Sequence, residues 1–177
     1  MKRPLTSHES AEMHLVFAAG LDYARVRLVE DAAWTNTLAR AWRRLIGAPP
    51  PLYDYAYTLG STIYFPRPLR TAPEAAAGVG YGDLGWLAHE LTHVWQFQRQ
   101  GAKTIARGLW AQLRHGLDAY RYGGETRLLQ AHAEGKSMQH FNPEQQGEIV
   151  RDYYLRRKQA QDPTAWELFI RDLQQPT

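Results

Sequence analysis

The chain has 177 residues and a mass of 20.3 kDa, room for one domain with a real hydrophobic core. Apolar residues make up 44% and charged ones 22%, which excludes a wholly disordered chain, and 21 Lys and Arg against 18 Asp and Glu leave a scattered +3 that forms no nucleic-acid-binding arm. The absence of cysteine excludes disulfide scaffolds, thiolate metal sites and thiol nucleophiles, so any metal must rest on His, Asp or Glu.

The first residues carry two early cations but no long apolar segment behind them, so no Sec signal is expected. No stretch approaches the roughly 20 apolar residues of a membrane helix, and a soluble protein without a membrane partner is expected. Thr6-Ser7-His8-Glu9 has the spacing of a capping box and opens a helix ending at Gly20. Tyr23 to Val29 alternates in the manner of a half-buried strand. A helix over Trp34 to Ile46 is stopped by Gly47 and the prolines at 49–51. Residues 55–66 read as one or two strands bent near Leu59-Gly60-Ser61, and residues 66–82, rich in Pro and Gly, as a long loop.

Helices alone follow. One runs from Asp83, as N-cap, to Gln100, and a second from Lys103 to His115. Asn142-Pro143 opens a third that reaches Ala160, and Asp162-Pro163 opens a last one ending near Gln174. The order predicts a single α+β domain over 1–177, with helix and strand in 1–82 and a helical part in 83–177.

Residues 89–93 read His-Glu-Leu-Thr-His, an HExxH inside a predicted helix. Positions four apart lie about 40° apart around a helix axis, so His89 and His93 project from one face and can share a metal. Glu90 points to a neighbouring sector, where it can take a proton from water without ligating. Leu84, Leu87, Ala88, Leu91, Val94 and Trp95 give the helix a broad apolar surface, as a buried central helix requires. Trp86, Trp95 and Trp110 read as core. The third histidine of an extended HExxHxxGxxH is absent, with Gln96 and Arg99 where its Gly and His would stand. A carboxylate from a later helix must then complete the set. Glu144 and Glu148 stand one turn apart. In one assignment Glu144 ligates, Gly147 lets the helices pack closely and Glu148 hydrogen-bonds a ligand. In the other Glu148 ligates, supported by Asp152. Donors for an oxyanion are sought among Tyr120, Tyr122, His132, His140, Tyr153 and Tyr154, with Tyr122 singled out because Gly123-Gly124 could carry it over a cleft. His8, His14 and His115 lack partner spacing and read as ordinary surface or helix-face histidines.

Several blocks together resemble a known family: Pro4-Leu5-Thr6 with a following Glu, Val16-Phe17 leading to LDYARVR at 21–27, TLGSTIYFP at 58–66, LAHELTHVWQFQ at 87–98 and FNPEQQGEIVRDYY at 141–154. The chain resembles the small zincin-like, eCIS-core or Vgr-related metallopeptidase-like family found with contractile injection systems. The resemblance implies a zincin-like (gluzincin) metalloprotease fold, mostly helical with a small twisted sheet beside the HExxH helix. It implies one Zn2+ per chain held by His89, His93 and Glu144, with Glu90 as general base. Gly147 stands where the pattern leads one to expect Ala. The resemblance also implies a protein that is cytoplasmic in the producing cell or exported without a Sec signal, working at or delivered by an injection apparatus.

Two functions follow as expectations. The first is a zinc-dependent peptidase acting on a peptide or protein substrate, an effector or processing protease. The second is a non-catalytic docking or assembly module that keeps the fold. The intact Glu90 favours the first, since a purely structural site needs no base. A hydrolase of peptidoglycan stem peptides is a third, weaker reading.

Overall fold

The computed structural model describes residues 2–101 and 116–175. The helix expected over Lys103 to His115, and with it Trp110 and His115, lies outside the described residues.

Thr6 caps the first helix, α1 (Ser7–Phe17), through the predicted capping box: its Oγ1 accepts from the Glu9 amide at 3.1 Å while the Glu9 carboxylate accepts from the Thr6 amide at 2.8 Å. Glu9 also receives two hydrogen bonds from Arg3 and one from Thr71, which accounts for a fully buried carboxylate. The helix stops at Phe17 rather than at Gly20. Gly20 serves a different purpose, because a Cβ there would lie 1.8 Å from the Leu173 carbonyl oxygen.

Strands β1 (Lys2–Arg3), β2 (Arg27–Val29), β3 (Tyr57–Leu59) and β4 (Thr62–Tyr64) form a mixed sheet in the order β1-β2-β4-β3. The strand expected from Tyr23 shrinks to Arg27–Val29, because the Asp22 carboxylate accepts from the Ala24 amide and turns Tyr23–Arg25 into one 3-10 turn. β2 and β4 pair in parallel, and α2 (Trp34–Leu45) lies in the crossover between them. The bend expected near Gly60 is a hairpin, with Tyr57 opposite Tyr64 and Gly60 at φ +63 in its turn. β3 is left at the sheet edge.

The region expected as loop contains a short helix, α3 (Pro73–Gly78), whose Pro at the first turn and three alanines favour that conformation. The central helix α4 (Gly82–Gln100) starts behind Tyr81 in a left-handed conformation, not behind an Asp83 cap. The Asp83 carboxylate is occupied elsewhere: it accepts from the Arg67 guanidinium at 2.7 and 2.8 Å and from the Arg70 amide at 2.8 Å, tying the preceding loop to the helix. Beyond the 3-10 turn at 116–120 come α5 (Gly124–Ala133), α6 (Pro143–Lys158) and α7 (Thr164–Gln174). Asn142 caps α6 with Pro143 behind it, as expected, but the helix ends at Lys158 rather than Ala160. Asp162 accepts from the Thr164 amide and hydroxyl, so the last helix begins one residue after Pro163.

α4 lies between the sheet and α6, with α1 and α7 packed alongside, and one apolar cluster runs from Met13 and Phe17 through Leu28, Ile63, Leu87 and Leu91 to Ile149, Trp166 and Phe169. Trp95 is buried and Trp86 half-buried against this core. The described residues thus form an α+β arrangement in which a four-stranded sheet flanks a buried helix. Among them no helix is long and apolar enough to cross a membrane.

Candidate metal centre

α4 and α6 approach unusually closely. A Cβ on Gly147 would lie 2.7–2.8 Å from three ring atoms of His89, so only glycine lets the two helix backbones reach this separation undisturbed. The approach places Glu144, from the first turn of α6, against both histidines of α4. The Nε2 atoms of His89 and His93 are 3.2 Å apart, and each is 3.5 Å from Glu144 Oε2. His89 and Glu144 are buried, and His93 is half-buried.

The other ring nitrogens decide the tautomers. His89 Nδ1 lies 3.0 Å from Glu148 Oε1 and donates to it. His93 Nδ1 lies 3.0 Å from Gln96 Oε1. The Gln96 amide is itself oriented, because its nitrogen donates to the Pro143 carbonyl at 3.1 Å and to Gln146 Oε1 at 2.8 Å, and the Gln146 nitrogen donates to the Phe141 carbonyl. Gln96 therefore offers His93 an oxygen, and His93 carries its proton on Nδ1. With both rings neutral, the two Nε2 atoms are left as lone pairs facing each other and a carboxylate.

Three acceptors at such distances repel unless a positive charge stands among them. The electrostatics of the cluster favour positive charge at the same place. Burial opposes charge on His89, but the Glu144 and Glu148 carboxylates outweigh it and raise the imidazole to about 10. Burial likewise opposes charge on His93, and Glu144 reverses it. Against their own burial, Glu144 is held below the usual carboxylate range by His93 and His89, and Glu148 by His89. The three donor atoms also fit a tetrahedral ion. Bonds of about 2.0–2.1 Å separate ligand atoms by about 3.3–3.4 Å, close to the spacings here. Among the described residues, His89, His93 and Glu144 are the His/Asp/Glu group whose donor atoms converge in this way.

Glu90 is buried beside His89, and its Oε2 accepts a hydrogen bond of 2.7 Å from the hydroxyl of Thr58 on edge strand β3. Sequence reasoning missed Thr58. A threonine in a β-rich segment carries no signal of its own until the hairpin is laid against α4. It also missed Gln96, noticed only as a departure from the extended histidine pattern.

Tyr122 lines a pocket with Arg127, Lys136, His140 and Gln145, with its side chain anchored from behind. Its ring is buried, its hydroxyl donates to Asp152 and accepts from Trp166 Nε1 at 2.9 Å, and it forms part of the packing between α5, α6 and α7. The glycines behind it open α5 instead of swinging the ring outward. Tyr120 is the tyrosine beside the cluster, its ring stacked near His89 at 6.2 Å between centroids. Of the remaining candidates, Tyr153 and Tyr154 are buried, the latter donating to Glu12, while His132 and His140 are exposed. Asp152, weighed as a supporting residue for Glu148, partners Tyr122. His8 and His14 lie on α1, and His14 stacks on Tyr23.

A mixed sheet beside a helix whose two histidines meet a glutamate from a second helix defines the class: an α+β protein with a buried His-His-Glu cluster. The chain belongs to the eCIS core domain family, whose model matches residues 4–101. It is also similar to the type VI secretion system spike protein VgrG2b of Pseudomonas aeruginosa, 30% identical over 167 residues and covering 92% of this chain but 14% of that protein. No solved structure matches. Family and relative together link the chain to contractile injection systems.

Proposed function

We propose that the chain is a metal-dependent peptidase of the zincin type, working within or delivered by a contractile injection system. The observation that carries this reading is the convergence of three acceptors, His89 Nε2, His93 Nε2 and Glu144, with both Nδ1 protons committed to Glu148 and Gln96. Such a donor set suits zinc, and manganese or iron as well. Zinc bound by His, His and Glu supplies Lewis acidity to water and to a carbonyl group. The rest falls to the protein. Glu148 and Gln96 hold the two rings in the ligating tautomer. Thr58 fixes one oxygen of Glu90, leaving the other to take a proton from water and return it to the leaving amine. Burial of Glu90 beside the cluster keeps that transfer out of bulk solvent.

The second reading, a structural module of the injection apparatus with no catalytic duty, is the one that the comparisons taken alone fit better, since the similar protein is itself a spike component. Elemental analysis of chain purified without affinity-tag metal separates the possibilities when paired with peptide hydrolysis. One metal per chain, lost in His93→Ala, together with hydrolysis abolished in a Glu90→Gln variant that still holds its metal, is the expected outcome. Metal bound without hydrolysis of any protein or peptide-library substrate would leave the module reading standing. No metal in folded wild-type chain would refute the site itself.

A further inference from the structure

One surface of the molecule has no role in the cluster. Helix α2 buries only Thr35 and Ala39 against the body of the protein. Trp34, Leu38, Trp42 and Leu45 fall within an arc of about 80° around its axis, at the helical spacing of 100° per residue. All four are exposed, Leu38 to 49%, Trp42 to 42% and Leu45 to 77%, and Ile46 follows at the helix end with 55%. A row of this kind, with two indoles, is an unusual face to leave in water. Trp34 is held at its start by stacking on Tyr57 and by an edge contact with Tyr64, so the face is fixed to the sheet rather than hanging from it.

Charge identifies the occupant. From Trp34 to Ile46 the helix has three arginines, Arg40, Arg43 and Arg44, and no acidic residue. Of the acids that flank the helix in sequence, Glu30 receives Arg3, and Asp54 receives Asn36 and Arg67. Asp31 precedes the helix, on the side where its dipole favours an anion. Indoles and leucines on one side with arginines on the other are the pattern of a helix lying in a lipid interface, where guanidinium groups reach back to headgroup phosphates. We propose that α2 docks the protein onto an anionic lipid surface. The earlier expectation of no membrane partner rested on span length, which does not bear on a helix lying flat. The inference is independent of metal binding and of hydrolysis.

The test is flotation of the full chain with vesicles of phosphatidylcholine alone and with about one-third phosphatidylglycerol, at low and high salt. Capture by the anionic vesicles is expected, with at least a tenfold loss on pure phosphatidylcholine or at high salt. The Leu38→Glu/Trp42→Glu double variant, altered only at exposed positions, should lose about tenfold or more in partitioning with an unchanged circular dichroism spectrum. Arg40→Gln/Arg44→Gln should weaken anionic capture alone. Absence of capture by anionic vesicles, or equal capture of the Leu38/Trp42 variant, would overturn the proposal. So would a vesicle-free dimer in sedimentation velocity that the same double variant dissolves, because the face would then belong to a second copy of the chain.

Discussion

A methyl group at position 147 has two opposing effects. In a helix interior Ala is favoured over Gly by roughly 0.5–1 kcal/mol. Here it would also press on the His89 ring at 2.7–2.8 Å, a ring held from its other edge by Glu148 and flanked by Glu144. Fold stability therefore changes little in Gly147→Ala, whereas metal affinity, measured by competition with a chromogenic chelator, should fall about tenfold as the ring is displaced. Unchanged affinity would mean that α4 and α6 separate freely and that their closeness does not tune the site. Thr58 acts on the other half of the cluster. Its hydroxyl bond to Glu90 orients the proposed base from the sheet edge. On whichever peptide the wild type cleaves, Thr58→Val should lower kcat about tenfold with KM and metal content nearly unchanged. A rise in KM alone would assign Thr58 to substrate binding instead.

Individual elements show which signals in the sequence had a local cause. The caps at Thr6 and Asn142, the hairpin around Gly60 and the close packing at Gly147 were legible because each rests on a residue type with one strong local use. Asp83 misled for the same reason. An aspartate before an apolar helix is a cap by local chemistry, but a distant pair of arginines outbid the helix for its carboxylate. Tyr122 is singled out by the glycines that follow it, while its burial depends on Trp166 and Asp152 far along the chain, which no local signal announces. The pairing of His89 with His93 follows from i, i+4 spacing and the need for a glutamate from the absence of a third histidine, with Glu144 and Glu148 both open, but Thr58 and Gln96 depend on which elements face each other. The Asp83 cluster has a measurable consequence. Burial alone would raise this carboxyl, yet the Arg67 guanidinium lowers it from 3.8 to about 2. A depressed carboxyl stabilises the fold above its unfolded pKa, and that contribution is lost as pH falls from about 4 through 2. Arg67 is partly exposed, so screening limits the effect to about 1 kcal/mol. Asp83→Asn should therefore lower the melting temperature at pH 6 but scarcely at pH 2. An equal loss at both would show that the pair contributes through geometry rather than charge.

For the whole molecule, the cluster joins the two halves of the chain. His89 and His93 belong to the helix that closes the family-matched segment at 4–101, while Glu144 and Glu148 come from beyond it. Without a cation, the three facing acceptors oppose the α4–α6 contact that packing otherwise favours. A bound ion would turn that opposition into a cross-link between elements about 50 residues apart in sequence, and because unfolded chain lacks the site, its binding free energy would add to folding. At free zinc 100-fold above the dissociation constant the added stability is about 2.7 kcal/mol. For a domain of this size that is a rise in melting temperature of about 5–10 °C. Thermal unfolding of chelator-stripped chain, titrated with zinc, measures it. The rise should vanish in His93→Ala and Glu144→Ala, and persist in Glu90→Gln, whose side chain lies beside the cluster without closing it. Persistence in Glu144→Ala together with loss in Glu148→Ala would transfer the third ligand to 148. No rise with any divalent metal would mean that a proton, shared among His89, His93 and Glu144, satisfies the cluster, and the pair of helices would then be held by that charge alone.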